Sequence, residues 1–317
     1  MKTKNAFLAV CMNPTLQKTL CFNRLIPSVV NRTSDYRFDA SGKGINVTRV
    51  LSQLGKKVTH LTQLGGILRP VFLELCEKEG INVRWVESGS AIRFCYTIIS
   101  GNLNEEHTVT ELVEESVPTT DGTGERLLAA YNELLDSVGT VIISGTKAQG
   151  LNDALIPEMV RLARECDKRI ILDIRGNDLK QSLVFRPDVV KPNLFEFAGT
   201  FLPELGSNAN EKGELTGEEP GVKDKIAALV LELAACYGTN IVLTRGKYSV
   251  WYTYNGNFFE CPVENEKPAV NTIGCGDAFT AGIAAALDDG LSLPDAVARG
   301  VHCGNLKAGI LKPGTIL

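Results

Sequence analysis

The sequence predicts an α/β protein, in which helices wrap a mostly parallel central sheet and a second, small sheet sits beside it. Three observations carry this reading. Short apolar runs of strand length recur at Val141–Ser144, Ile170–Ile174, Val189–Val190 and Ile241–Thr244. Amphipathic helical stretches such as Ala154–Cys166 and Lys223–Cys236 separate them, and strands that alternate with helices pair in parallel. Two stretches, Cys11–Phe38 and Val83–Leu112, break the alternation. They are rich in β-branched, aromatic and polar residues without a helical period, which suits an extra sheet.

In chain order, Met1 to Val10 couples basic residues to a short apolar run and reads as a first strand rather than a signal peptide. After the first irregular stretch comes Asp39-Ala40-Ser41-Gly42-Lys43-Gly44-Ile45-Asn46-Val47, with Val50, Leu51 and Leu54 following at helical spacing, so a loop feeds a helix. Gly206–Lys223 has the composition of a polar surface loop. Near the end, Asn271-Thr272-Ile273-Gly274-Cys275-Gly276-Asp277-Ala278-Phe279 places two glycines and a carboxylate ahead of Phe279, Ile283 and Leu287, again at helical spacing. No internal repeat or low-complexity tract interrupts the 317 residues.

Composition excludes several function classes. A formal net charge of −4 offers no basic face for nucleic acid or an anionic membrane, so a bound phosphate must be met by a few local cations. Nine cysteines without a C-x-x-C pair and three histidines indicate neither a zinc site nor a disulfide framework. No apolar span approaches membrane length, and the expected setting is cytoplasmic with reduced thiols.

The Asn271–Phe279 segment points to phosphate chemistry. Glycines admit bare backbone close to an anion, and the helix start aims its positive end at the same spot. Asp277 then has two roles open to it: general base for a hydroxyl about to be phosphorylated, or helix cap. The Gly42–Gly44 cluster is in isolation a tight turn with a solvated lysine. Neither cluster completes G-x-x-x-x-G-K-[ST] or G-x-G-x-x-G, which removes the P-loop and Rossmann readings.

Together the two clusters, S-G-K-G-I-N-V-T-R-V-L and N-T-I-G-C-G-D-A-F-T-A-G, closely resemble the signatures of ribokinase-like carbohydrate kinases of the phosphofructokinase B type. Lys191-Pro192-Asn193-Leu194-Phe195-Glu196 resembles that family's K-P-N-x-x-E segment, and Thr244-Arg245-Gly246 its nucleotide loop. Met12-Asn13-Pro14-Thr15-Leu16 and Lys312-Pro313-Gly314-Thr315 are similar to the 1-phosphofructokinase and tagatose-6-phosphate kinase branch. The resemblance covers the whole chain. It implies a single ribokinase-like domain over 1–317, a three-layer α/β/α sandwich with a mostly parallel sheet, and a small β-sheet lid from about 11–38 and 83–112. It also implies a homodimer clasped through the lids.

The activity implied is ATP- and magnesium-dependent phosphoryl transfer to a sugar phosphate such as fructose 1-phosphate, tagatose 6-phosphate or fructose 6-phosphate. Asp277 matches the general base, and the amides of Gly274, Cys275 and Gly276 the stabilisers of the moving phosphoryl group. Asn193 and Glu196 match residues near the magnesium, touching it through water, though alone they read as a helix cap with a surface carboxylate. Lys191, Thr244, Gly246 and Asn305 match nucleotide-side positions. Lys43 and Arg93 match the cations that hold the acceptor's own phosphate, and Gly42, Gly44 and Asn46 match contacts to sugar hydroxyls.

Departures cluster on the acceptor side. Gln17 stands where the branch has a sugar-binding aspartate, and Ser41 replaces a glycine. Glu111–Ser116 lacks the branch's asparagine and P-G-P turn, Ser144–Gly150 lacks its prolines, and Arg175 replaces a serine. Arg175 and Lys147 are candidates for contacts to a differently placed phosphate or carboxylate. The pattern predicts a changed substrate rather than a changed reaction. The competing readings are a kinase of an unphosphorylated sugar or nucleoside, and a sugar-phosphate sensor without turnover.

Overall fold

The structure, a computed structural model, describes residues 6–103, 105, 107–208, 215–264 and 268–317. Its strands are β1 (Ala6–Val10), β2 (Thr15–Phe22), β3 (Tyr36–Ser41), β4 (Lys57–Leu64), β5 (Val83–Glu87), β6 (Arg93–Gly101), β7 (His107–Val113), β8 (Thr140–Ser144), β9 (Arg169–Asp173), β10 (Val189–Val190), β11 (Asn240–Arg245), β12 (Tyr248–Tyr254) and β13 (Asn257–Cys261). The helices are α1 (Lys43–Gln53), α2 (Arg69–Lys78), α3 (Thr123–Leu135), α4 (Leu155–Glu165), α5 (Gly176–Ser182), α6 (Leu194–Phe201), α7 (Val222–Tyr237), α8 (Cys275–Asp288) and α9 (Leu293–Ala308).

Among the described residues the large sheet runs β13-β12-β11-β10-β9-β8-β1-β4-β5, parallel from β5 through β11 and closed at one edge by the antiparallel strands β12 and β13. The sheet is covered on both faces. Phe7, Ala9, Ile142, Ile171 and Val242 pack with α1, α8 and α9, while Leu8, Val10, Val141, Ile143 and Leu172 pack with α3 and α4. Successive residues of one strand thus enter opposite cores, so the central strands are apolar throughout, as doubly covered parallel strands must be. Truncating one such residue, for example Ile142→Ala, costs about 2–5 kcal/mol.

The predicted strands Val141–Ser144, Ile170–Ile174, Val189–Val190 and Ile241–Thr244 and the helices Ala154–Cys166 and Lys223–Cys236 lie where expected, with every end within one residue of the observed one. The lid is a separate sheet, β3-β2-β6-β7, whose central pair β2–β6 is parallel. Its limits differ from those expected. The stretch Val83–Glu87 is not lid but the edge strand of the main sheet, paired in parallel with β4, and β3 carries the lid on to Ser41. Only part of the expected loop Gly206–Lys223 can be compared: residues 209–214 lie outside the described residues, and α7 begins one residue early at Val222.

The parallel strands all end on the edge over which the lid hangs. Asp173 is the last residue of β9, Gly145 and Lys191 follow β8 and β10, and Cys11 follows β1. Open α/β sheets bind ligands at this carboxyl edge. No helix among the described residues is long and apolar enough to cross a membrane.

Candidate active site

A cavity of about 670 Å³ lies between this edge and the lid. Of the residues singled out in the sequence, it brings together Gln17, Gly42, Lys43, Asn46, Arg93, Lys191, Asn193, Glu196, Thr244, Gly274, Gly276 and Asp277. Four others do not line it: Gly44, Gly246, Cys275 and Asn305.

Asp277 occupies the third position of α8, whose N-cap is Gly274, and its side chain makes no capping bond. Asp277 is thus not the cap itself but an acidic residue of the first turn, where the helix dipole favours it. Its Oδ2 instead accepts from Asn46 Nδ2 at 2.7 Å. Burial pushes its carboxyl up to about 6, Asp173 adds to the rise, and Lys43, Lys191 and the Asn46 amide oppose it. A carboxylate in that range is ionised at neutral pH yet basic enough to take a proton.

Gly274 adopts φ +87°, and a Cβ there would fall 2.5 Å from the Gly314 amide nitrogen, so both conformation and space demand glycine. The turn brings the N-terminus of α8 to the cavity, where the Gly276 amide has no intrahelical acceptor. The Cys275 amide does not join it, because it donates to Thr272 O at 3.2 Å within the turn. The Cys275 side chain is half-buried and turned from the cavity, with its thiol pushed by burial up to about 11.

Asp173 is the residue that sequence reasoning missed. It lies within the apolar run Ile170–Ile174 and drew no role, because a lone aspartate in such a run carries no motif. In the structure it is buried between two ammonium groups, with Lys43 Nζ at 3.0 Å and Lys191 Nζ at 3.2 Å, and Thr280 Oγ donates to it at 3.2 Å. Burial favours its neutral form, but Lys191 and Lys43 outweigh burial and hold its carboxyl below the usual range. Burial likewise acts against the Lys43 charge, which Asp173, Glu196 and Asp277 nonetheless keep above the usual lysine range. Lys43 thus lies among three carboxylates, those of Asp173, Glu196 and Asp277.

Asn193 and Glu196 form a complete capping box on α6: Asn193 Oδ1 accepts from the Glu196 amide at 2.7 Å, and Glu196 Oε2 from the Asn193 amide at 3.0 Å. The cap is real, but the carboxylate is not a surface one. Its side chain is 14% exposed, with Oε1 3.5 Å from Lys43 Nζ. For magnesium, Asp173 and Glu196 offer oxygens on the cavity wall, yet their lone pairs are largely engaged. No group of three or more His, Cys, Asp or Glu among the described residues makes a cage. This donor set fits a metal that keeps its waters and leans on phosphate oxygens.

On the acceptor side, Arg93 donates from Nη1 to Glu114 O at 3.1 Å, while its buried Nε has no partner. Gln17 donates from Nε2 to Thr97 Oγ at 2.7 Å across the lid, which leaves its carbonyl oxygen as an acceptor. Lys147 lines the cavity but is held by Asp153 at 2.8 Å and Asp178 at 2.6 Å. Arg175 lines it exposed. Glu111, Glu115 and Ser116 also border this half.

The residues off the cavity have other work. Gly44 is a packing glycine, since a Cβ there would lie 2.5 Å from Cys11 Cβ and from His60 Cε1. Gly246 sits in the β11–β12 turn, and Asn305 donates to Glu264 O at 2.9 Å.

A profile of pfkB family carbohydrate kinases matches residues 2–316. The chain belongs to the pfkB family of carbohydrate kinases. It is accordingly an ATP-dependent carbohydrate kinase. Among solved structures, the pfkB kinase is similar to phosphofructokinase-2 of Escherichia coli in complex with fructose-6-phosphate, with 20% identity and a TM-score of 0.77 over 96% of this chain and 94% of that one. It is similar to the possible 1-phosphofructokinase of Thermotoga maritima, at 22% identity and TM-score 0.78 over 96% and 92% of the chains. The tetrameric inhibited form of the Escherichia coli enzyme matches at 20% identity and TM-score 0.77 over 96% and 93%. At these identities the likeness is one of fold.

Proposed function

We propose that this pfkB kinase transfers the γ-phosphoryl group of ATP to a hydroxyl of a sugar that already carries a phosphate, with Asp277 as general base. One observation carries the reading: Asp277, with its carboxyl pushed up to about 6, faces the same cavity as Arg93, which has an unpartnered buried Nε. A neutral sugar has no need of that guanidinium. The candidates are fructose 1-phosphate, tagatose 6-phosphate and fructose 6-phosphate. The two pfkB-like neighbours named for phosphofructokinase activity, one of them holding fructose-6-phosphate, support this class.

In the mechanism, Asp277 takes the hydroxyl proton as that oxygen forms its bond to the γ-phosphorus, and the bond to the β,γ-bridging oxygen breaks to release ADP. The Gly274 and Gly276 amides and the positive end of α8 stabilise charge on the moving group. Lys43 and Lys191, aligned by Asp173, supply two fixed positive charges beside it. Magnesium, when bound, neutralises the phosphate oxygens, and Asp173, Asn193 and Glu196 would hold it through water. Lys191 and Thr244 border the nucleotide, while Gln17, Gly42 and Asn46 border the sugar hydroxyls. A homodimer fits the exposed apolar side chains of the lid and its connections, Ile26, Val29, Val30 and Tyr36.

The test is ADP release with ATP and magnesium against a panel of phosphorylated and free ketoses, with Asp277→Asn as control. Turnover on a sugar phosphate that collapses in the variant supports the reading. Turnover on free sugars alone overturns the role of Arg93. Binding of a sugar phosphate, seen as a raised melting temperature without turnover, overturns catalysis in favour of a sensor.

A further inference from the structure

Lys307, on α9 behind the phosphoryl-transfer loop, is fully buried. Among the described residues no carboxylate lies within salt-bridge distance of it. Its Nζ instead donates to two backbone carbonyls, Asn271 O at 2.9 Å and Ile310 O at 2.8 Å. A buried ammonium without a counter-ion is costly, and a methionine would fill the same space without that cost. Burial accordingly pulls its ammonium down to about 8, with Cys275 and Asp277 opposing the fall.

What the charge holds together is specific. Asn271 begins the loop that ends in Gly274, and its side chain staples that loop: Oδ1 accepts from Ile273 N at 3.0 Å and Nδ2 donates to Leu311 O at 2.8 Å. Ile310 begins the C-terminal segment whose Gly314 packs on Gly274 and whose Pro313 O accepts from Arg49 Nη1 at 3.0 Å. Carbonyls from both segments therefore converge on one desolvated positive charge. Backbone carbonyl oxygens replace the water shell of a dehydrated monovalent cation in the same way.

We propose that Lys307 is a built-in cation: its tethered ammonium occupies a carbonyl cage beneath the Gly274–Gly276 loop, fixes the donors of that loop in place, and frees phosphoryl transfer from any need for a dissolved monovalent cation. Lys307 is a positioning residue and does not touch substrate. The inference rests on the reading of Gly274–Gly276 as the transfer loop, but the cage itself can be tested without turnover.

Wild-type protein, Lys307→Ala and Lys307→Met are compared in potassium, ammonium and choline chloride at equal ionic strength and pH 7. Wild type is expected to have the same kcat and melting temperature in all three salts. Misplacement of the loop lowers kcat in both variants about 10²-fold with small changes in KM. Potassium or ammonium, but not choline, restores kcat and raises the melting temperature of Lys307→Ala, whose cage is vacated. Lys307→Met, whose side chain fills the cage, is not rescued. A potassium requirement in wild type, full kcat in Lys307→Met, or a folded Lys307→Ala that no cation rescues would overturn the proposal. If no acceptor turns over, the melting-temperature arm still decides it, and only the catalytic reading has failed. If Lys307→Ala does not fold in choline, recovery of folding in potassium or ammonium supports the cage, and none in any salt sinks it.

Discussion

Asn46 Nδ2 donates to Asp277 Oδ2 at 2.7 Å, joining the first glycine loop to the second across 231 positions of sequence. The orientation of the amide is fixed, because its oxygen accepts from Ser41 Oγ at 3.2 Å and Arg49 Nη1 at 3.1 Å. The donor end can only face the carboxylate. Asn46 thus favours the ionised form of Asp277 against the burial that raises its pKa.

Replacing Asn46 by leucine keeps the volume and removes that donor. The Asp277 carboxyl then rises above about 6, and the acidic limb of kcat moves to higher pH. A hydrogen bond to a charged group is worth roughly 1.5–3 kcal/mol, about one to two pKa units, so the ionised fraction at pH 7, and kcat with it, falls by about 2- to 15-fold. A pH–rate profile in which the limb stays in place would refute the coupling.

Asp277→Asn trades activity for stability. Loss of a general base lowers kcat by about 10²–10⁴-fold. The folded pKa of about 6 exceeds the ordinary 3.8, so between these values the folded state binds the extra proton. The group therefore costs nothing below the unfolded pKa, costs progressively more between the two values, and carries its full cost above the folded one. Removing its charge stabilises the protein at pH 7.5 by ~1–3 kcal/mol, a gain that vanishes near pH 4. Urea denaturation of both proteins at the two pH values checks the sign.

The parallel strands were legible because burial on both faces leaves an apolar run that needs no partner to be recognised. Val83–Glu87 was not, because an edge strand with alternating exposure reads like a lid strand until its pairing to β4 is known. Residues tied to a glycine motif, Asn46 and Asp277 among them, reached the cavity. Asp173 and Lys307 escaped because their meaning lies in partners more than 30 residues away, Lys43 and Thr280 for one and Asn271 for the other. Gly44 was misassigned for the opposite reason: it sits in the motif, but the space it vacates is filled by Cys11 and His60 rather than by a ligand.

Arg93→Met separates acceptor from nucleotide. Its guanidinium lines the lid half of the cavity, and the only hydrogen bond from its side chain among the described residues goes to Glu114 O. The acceptor KM is expected to rise about 10- to 100-fold, the worth of one charge-assisted contact, with the KM for ATP unchanged. Equal rises in both would place Arg93 outside acceptor binding.

Asp173→Asn moves the same pH limb in the direction opposite to Asn46→Leu. Asp173 is one of the causes that raise the Asp277 carboxyl, and it also draws Lys43 and Lys191 toward itself. Neutralising it removes a like charge and leaves both ammonium groups to act on Asp277, so the acidic limb falls below about 6. The variant loses stability at the same time, because two lysines are left without their buried partner, and breaking a buried pair costs about 3–5 kcal/mol. Its kcat falls as well, since the two cations lose the carboxylate that aligns them. A limb that moves upward instead would mean that Asp173 acts on Asp277 by holding the lysines close, not by its own charge.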